Sequence, residues 1–455
     1  MSAPPLSREQ RSGVLPRKTL RRQFLARLGR AILFGPAAGS FLFQNACGGG
    51  SSTITPPSQG DGYPGTDDQL LDDIEQAAFL FFWEGADTDT GQVKDRALAA
   101  GNDSSTLSSI ASTGFGLTAL CIGAHRSYQP ASPILSRVQT TLNFLLNQMP
   151  EQDGFFYHFV DMSSGARASG SEVSSIDTAI LLCGVLTCRQ YFQDAQVQSL
   201  ATQIYERINW PWMLNGGSTF SMGWTPEQGF ISTRWDTYSE LMMLYLLALG
   251  SPTYPTPVST WSAWSRPSFT YQGLTYISSG APLFSHQYSH AWFDFQNETD
   301  AFADYFQNSI VATTAHRLFC ISLAPQFSDY GSDLWGISSS DSVNGYVAWG
   351  GPPALGPIDG TLVPCASAGS LPFLYSDSIH VLRWIRGHYP QAWQRYGYVD
   401  AFNPLTGWYD PDVVGIDVGI TMLMAENYRT GFVWDTFMKN SEAQAAMQKA
   451  GFQSA

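Results

Sequence analysis

The sequence predicts an all-α domain in which antiparallel helix pairs close into an α/α toroid, with aromatic loops and short β-hairpins at one end. Three observations predict it. Apolar residues recur at helical spacing in ten segments between Asp67 and Met447. The stretches between them, such as 153–160, 220–230 and 335–353, are rich in Trp, Tyr, Gly and Asp. About 390 residues follow the last low-complexity stretch, large for one compact core but readily held by a toroid. Helix pairs recur at irregular intervals, without an exact internal repeat.

The N-terminus comes first. Residues 1–30 hold eight Lys or Arg and one acid, and Arg21-Arg22-Gln23-Phe24-Leu25 has the form of a twin-arginine export signal. The apolar run 31–46 falls short of the roughly 20 residues that span a bilayer, so it reads as a cleavable signal. Cys47, followed by Gly48-Gly49-Gly50-Ser51-Ser52, fits the lipidated cysteine and tether of a bacterial lipoprotein. The preceding Gln44-Asn45-Ala46 lacks the usual leucine, and simple cleavage near Ala46 is the alternative. The expected organisation is therefore an export signal at 1–46, a Gly/Ser/Pro linker at 47–66 and one folded domain at 67–455. The expected location is the periplasm or outer membrane.

Without residues 1–46, 16 basic side chains face 37 acidic ones, a net charge of −21. Such a surface repels nucleic acid and anionic membrane, so a neutral partner is expected, with membrane contact only through the anchor. The chain is expected to be a monomer. Cys121, Cys183, Cys188, Cys320 and Cys365 form no CxxC pair and read as buried thiols, with one chance disulfide open.

Periodicity then places helices at 67–83, 105–125, 132–148, 171–192, 197–208, 233–249, 300–323, 375–387, 415–428 and 431–447. GFFYHFV and RPSFTYQGLTYI alternate enough for short hairpins.

Several helix starts carry acids. In SGSEVSSIDTAILLCGVL, Glu172 and Asp177 lie at the entrance of an apolar helix that Ser174 or Ser175 can cap. Burying a carboxylate without a partner is costly, so both are candidates for chemistry; the plain alternative is that Glu172 caps and Asp177 meets the helix dipole. Arg234-Trp235-Asp236-Thr237-Tyr238-Ser239-Glu240 leads into LMMLYLLALG, putting Glu240 in a similar place. Asp417 opens a third apolar helix, closed by Glu426 and Arg429, which can pair with each other. Asp341 lies in the loop GISSSDSVNGY. In a toroid such helix starts converge on one cleft, where a carboxylic acid and a carboxylate are what glycoside hydrolysis requires. Trp83, Phe155, Phe156, Tyr157, Trp224, Trp235, Trp292, Trp335 and Trp408 are candidate sugar platforms, although most aromatics are core. His286 and His290 have the i, i+4 spacing of a zinc pair on a helix, but HExxH and nearby cysteines are missing, and no metal is expected. GxSxG is absent.

Taken together, the chain resembles the glycoamylase-like bacterial proteins of glycoside hydrolase family 144. The resemblance is carried by SEVSSIDTAILL (171–182), YSELMMLYLLALGSPTYP (238–255), FSHQYSHAWFDF (284–295), DYFQNSIVAT (304–313), DLWGISSSD (333–341), DGTLVPCASAGSLPF (359–373), YGYVDAFNP (396–404) and GIDVGITMLMAENYRTGFVWDTFMKN (415–440). It departs from the family pattern at Ser239, Gln296 and Val418. It implies an (α/α)6 toroid that hydrolyses β-1,2-glucan to sophorose-type oligosaccharides without a cofactor. By position it implies catalytic roles for Glu240, Asp177 and Asp417: Glu240 the general acid, Asp417 the base activating water, Asp177 binding a sugar hydroxyl or relaying a proton. Substrate contacts are expected from Glu172, Trp235, Tyr238, His286, His290, Trp335, Asp341, Trp408 and Arg429. Endo action with inversion is expected. The alternatives are sophorose release from chain ends, transglycosylation, or a non-catalytic glucan-binding lipoprotein.

Overall fold

The computed structural model describes residues 60–455 apart from Ser169 and Pro353. The export signal, Cys47 and most of the expected linker lie outside the described residues. The end of that linker is not loose. Arg383 donates to the carbonyl of Gly65 at 2.8 Å, pairs with Asp61 and Asp67, and its guanidinium lies over the ring of Tyr63. Residues 61–65 thus pack on the helical domain.

In chain order the longer helices, with one short one that completes the ring, are α1 (Asp67–Glu84), α2 (Ile110–His125), α3 (Ala131–Asn147), α4 (Ser175–Tyr191), α5 (Ala195–Glu206), α6 (Met242–Gly250), α7 (Tyr305–Ser322), α8 (Pro364–Ala368), α9 (Tyr375–His388), α10 (Gly415–Thr430) and α11 (Ser441–Ala450). Four of them, α2, α4, α6 and α10, are buried along nearly their whole length, as their continuous apolar sequence requires. They belong to a closed inner ring. α2 packs between α4 and α10, and α4 packs on α6. From there the ring passes to two 3-10 turns, Leu283–His286 and Tyr288–Ala291. Ser289 Oγ ties them to α6, donating to the carbonyl of Glu240 at 2.8 Å and accepting from the Met243 N–H. Gln287 Nε2 reaches the Ala366 carbonyl in α8 at 2.9 Å, and α8 packs on α10.

Outside this ring, α1 lies on α2 and α10, α3 and α5 pair, α11 covers α6, α7 covers the first 3-10 turn and α9 covers α8. These outer helices are amphipathic; α3 buries Ile134, Val138, Leu142 and Leu145. Six inner and six outer elements make the (α/α)6 toroid. The described strands pair in twos and threes, with no closed sheet among the described residues.

Glycine sets the closest helix contact. A Cβ on Gly184 of α4 would lie 2.1 Å from the Gly114 carbonyl oxygen of α2. The ring is not hollow. Trp292 Nε1 crosses it to donate to Thr118 Oγ1 at 3.0 Å, and Phe115 packs against Tyr288 and Trp292.

Several boundaries differ from the sequence reading. The segment 233–241 is not helical: Arg234–Trp235 pairs antiparallel with Phe220–Ser221, and the helix starts at Met242. The expected helix 431–447 is two, Phe432–Phe437 and α11, parted at Asn440. Asn440 Nδ2 binds the Leu186 and Phe437 carbonyls while its Oδ1 accepts from Arg189. RPSFTYQGLTYI does form a hairpin, Ser268–Tyr271 against Leu274–Ile277, turning through Gln272 and Gly273 at positive φ. The start of GFFYHFV also forms one, Phe155–Phe156 against Glu151–Gln152 through Asp153 and Gly154 at positive φ, while its end, Phe159–Val160, pairs with the strand 107–109.

Candidate active site

Three neighbouring inner helices begin alike. α2, α4 and α10 each follow directly on a short strand, Leu107–Ser109, Val173–Ser174 and Asp412–Val414. Their N-cap residues share one extended conformation, with φ/ψ of −110/133 at Ser109, −103/132 at Ser174 and −105/130 at Val414. The third helical residue is therefore placed equivalently in each: Ser112, Asp177 and Asp417. A carboxylate there lies within the favourable field of the helix N-terminus.

At the head of α4, Ser174 accepts from the Asp177 N–H and donates to Asp177 Oδ2 at 2.6 Å. Ser174 and not Glu172 is the cap. Glu172 Oε1 lies 3.3 Å from His158 Nδ1, and the same nitrogen is 3.5 Å from Asp177 Oδ2, so one imidazole bridges the two acids. Trp235 Nε1 donates to Ser175 Oγ at 2.9 Å, and Ser175 donates to the Ser221 carbonyl, which locks the segment before Glu240 to α4. Glu240 is completely buried, two residues ahead of α6, with its backbone held by Ser289.

A second acid group gathers at the head of α10. Carboxylate oxygens of Asp341, Asp400 and Asp410 lie within 4.8 Å of one another, and all three side chains are buried. The Asp341 N–H donates to Asp400 Oδ2 at 2.7 Å, and the Asp412 N–H to Asp410. Arg96 pairs with Asp341 and with Asp95. Burial pushes the Asp400 carboxyl well above the usual carboxylate range, helped by the charge of Asp417 and a hydrogen bond with it. Burial, then the charge of Asp341, pushes Asp410 up to about 7. The Cys365 thiol also hydrogen-bonds Asp417, and burial holds it protonated. An oxygen-only triad of this kind suits a hard cation, though Arg96 already pairs with Asp341.

The arrangement of the other expected site residues is mixed. Tyr238 and His286 are buried below this end and hydrogen-bond each other at 3.1 Å. His290 lies deeper, against Ser309, Phe373 and the Trp434 indole. His286 and His290 sit on 3-10 turns, not one helix, and burial lowers both to about 3, so neither is charged near neutrality. Trp335 is 1% exposed, packed near His316, and belongs to the core; Phe155, Phe156, Trp235 and Trp292 are likewise buried, whereas Trp408, on a hairpin with Phe402–Asn403, is half-buried. Arg429 is corrected outright. It lies twelve residues beyond Asp417 on α10, roughly 18 Å along the axis, where it pairs with Glu75 at 2.7 Å and with Asp68. Glu426 takes Arg126 instead, at 2.8 Å. His158, Arg96 and Asp400 were not singled out by sequence, since each meets its acid only through distant loops.

Residues 232–441 match the Glycoamylase family model. An exo β-1,2-glucooligosaccharide sophorohydrolase (non-reducing end) from Parabacteroides distasonis is 27% identical over 468 residues, covering 94% of this chain; the chain spans 63% of that relative's length. The solved endo-β-1,2-glucanase from Chitinophaga pinensis, in complex with sophorotriose and glucose, superposes with a TM-score of 0.80 at 28% identity, over 86% of this chain and 99% of that one. An endo-β-1,2-glucanase from Talaromyces funiculosus shares the fold at 14% identity and a TM-score of 0.59, over 86% of this chain and 94% of its own. Residues 232–441 thus carry the match to a glycoamylase-like domain, and the homologues are β-1,2-glucanases and sophorohydrolases of the glycoside hydrolase family 144 type.

Proposed function

We propose that the chain hydrolyses β-1,2-glucan, endo-acting and with inversion, by two carboxylates at the mouth of the toroid. The observation that carries the reading is the likeness to the Chitinophaga pinensis endo-β-1,2-glucanase over 99% of that chain, together with acids at the heads of α4 and α10, the two inner helices that flank α2. In this reading Glu240 protonates the glycosidic oxygen and Asp417 activates the attacking water. Asp177, held by Ser174 and His158, orients a sugar hydroxyl, and Glu172, Asp341 and Trp408 line the path of the chain. Sophorose release from chain ends is the second reading, favoured by the Parabacteroides distasonis relative. Incubating the protein with linear β-1,2-glucan tests both. Mixed oligomers support endo action; sophorose alone supports the exo reading. Glu240→Gln should lower turnover at least about 1,000-fold with an unchanged circular dichroism spectrum; near wild-type turnover would overturn the assignment of Glu240. The export signal and lipid anchor at Cys47 belong to the same proposal, and fatty-acid labelling that survives Cys47→Ala would contradict the anchor.

A further inference from the structure

We propose that Cys121 and Cys188 are a modification site, a thiol pair that oxidises to a disulfide stapling α2 to α4 toward the end of the ring opposite the acids. The two sulfurs lie 3.6 Å apart and both side chains are fully buried. A disulfide needs a separation of about 2 Å, so each sulfur has less than an ångström to travel. The helices themselves bring the pair together. Both run from the acid end, and glycine lets them touch: a Cβ on Gly114 would lie 2.6 Å from the Leu181 Cα. Cys121 follows Gly114 by seven residues, and Cys188 follows Leu181 by seven. Seven residues make about two helical turns, so both cysteines stay on the touching faces. Cys188 Sγ also donates to the Leu117 carbonyl of α2 at 3.4 Å, which aims it across the interface.

The oxidant is an external disulfide, such as oxidised glutathione or the disulfide of a thiol oxidase. The thiolate of one cysteine attacks it, releasing one thiol and leaving a mixed disulfide on the protein. The other cysteine then attacks the protein sulfur of that intermediate, which forms the Cys121–Cys188 bond and releases the second thiol. The pair gives up two protons and two electrons, and the oxidant becomes two thiols. In the exported location proposed for this chain such oxidants are at hand. Burial, then the neighbouring Cys188 thiol, holds the Cys121 thiol well above its usual range, so the attacking thiolate is scarce once the domain is closed. Entry is through the helix ends. Cys121 lies within about a turn of the end of α2 at His125, and Cys188 within a turn of the end of α4 at Tyr191. Helix ends open locally at low cost, and in the folding chain they are not yet packed. The bond would close a loop that contains the whole of α3, restricting the unfolded chain and so favouring the ring.

Refolding the full chain from reduced, denatured protein in a buffer of oxidised and reduced glutathione tests the proposal. Protease digestion without reductant should yield one linked pair of fragments, carrying Cys121 and Cys188, and mass spectrometry should find it lighter by two hydrogens than the two free fragments. The oxidised protein should melt about 5 °C above the same protein kept reduced. Cys121→Ala and Cys188→Ala, which keep a small apolar side chain in the interface, should lose both the linked fragment and the difference in melting. Protein folded while reduced and then given oxidised glutathione should link at least about tenfold more slowly than the refolding chain. Cys121 and Cys188 left as free thiols after refolding, linkage of either to another cysteine, or a linked form that melts no higher than the reduced one overturns the proposal. Glucan hydrolysis plays no part in these readouts, so the failure of this inference and the failure of the functional reading are told apart.

Discussion

His158 shows what single residues decide here. Its imidazole stands between Glu172 and Asp177, so two acids that look alike in sequence differ in place: Asp177 is fixed by its own cap Ser174, Glu172 by the histidine. The acids were legible because charged residues at the entrance of apolar helices stand out. Their partners were not, because Arg96 meets Asp341 across 245 positions and local patterns carry no such signal. Arg429 was misplaced for a related reason: its neighbour in sequence, Glu426, is paired elsewhere, and its partner Glu75 lies on α1. Asp410 supports a test at this scale. Its folded form keeps its proton up to about 7, whereas an unfolded aspartate releases it near 3.9. The stability tied to that proton is complete below about pH 4 and is lost as the pH rises to 7. Asp410→Asn removes the titration, so it should match the wild type at pH 4 and exceed it at pH 7.5 by on the order of 1–3 kcal/mol. Melting temperatures at the two pH values check this; an equal offset at both would contradict it.

Among the elements, the three strand-to-helix entries at α2, α4 and α10 place Ser112, Asp177 and Asp417 alike. Ser174→Ala removes both the cap of α4 and the donor orienting Asp177. It should cost about 1 kcal/mol of stability and about tenfold or more in kcat, measured by chemical unfolding and initial rates; loss of stability with full activity would show that Asp177 needs no such donor. Gly184 tests the ring itself. Because a Cβ there meets a backbone carbonyl that cannot turn aside, Gly184→Ala should destabilise by about 3 kcal/mol or more, visible as a lowered midpoint of denaturation. The longer helices were legible, since outer ones show a clear stripe and inner ones an unbroken apolar run; the five-residue α8 lies in none of the ten expected segments, being too short to show a period. Boundaries were less so. At 233–241 an apolar run continues backward from α6, yet Trp235 is claimed by Ser175 and the backbone pairs as a strand. The 3-10 turns at 283–291 carry Ser, His and Gln whose partners lie on neighbouring elements, so periodicity alone could not identify them as the sixth inner element.

For the molecule as a whole, the closed ring explains how residues from 96 to 417 meet at one end. Trp292 and Phe115 pack against each other inside the ring, so its middle is filled. Toroid geometry was legible as a class from helix pairing, and the count of six from the resemblance; which helix lies beside which depended on contacts such as Gln287 to Ala366 that no pattern reveals. The net charge of −14 suits a neutral polymer that is bound by hydrogen bonds and ring faces. The most direct test is to compare reducing ends released by the purified protein from β-1,2-glucan, β-1,3-glucan and starch. Release from β-1,2-glucan alone, abolished by Glu240→Gln, is the predicted result; equal release from starch, or activity that survives the substitution, would contradict the account.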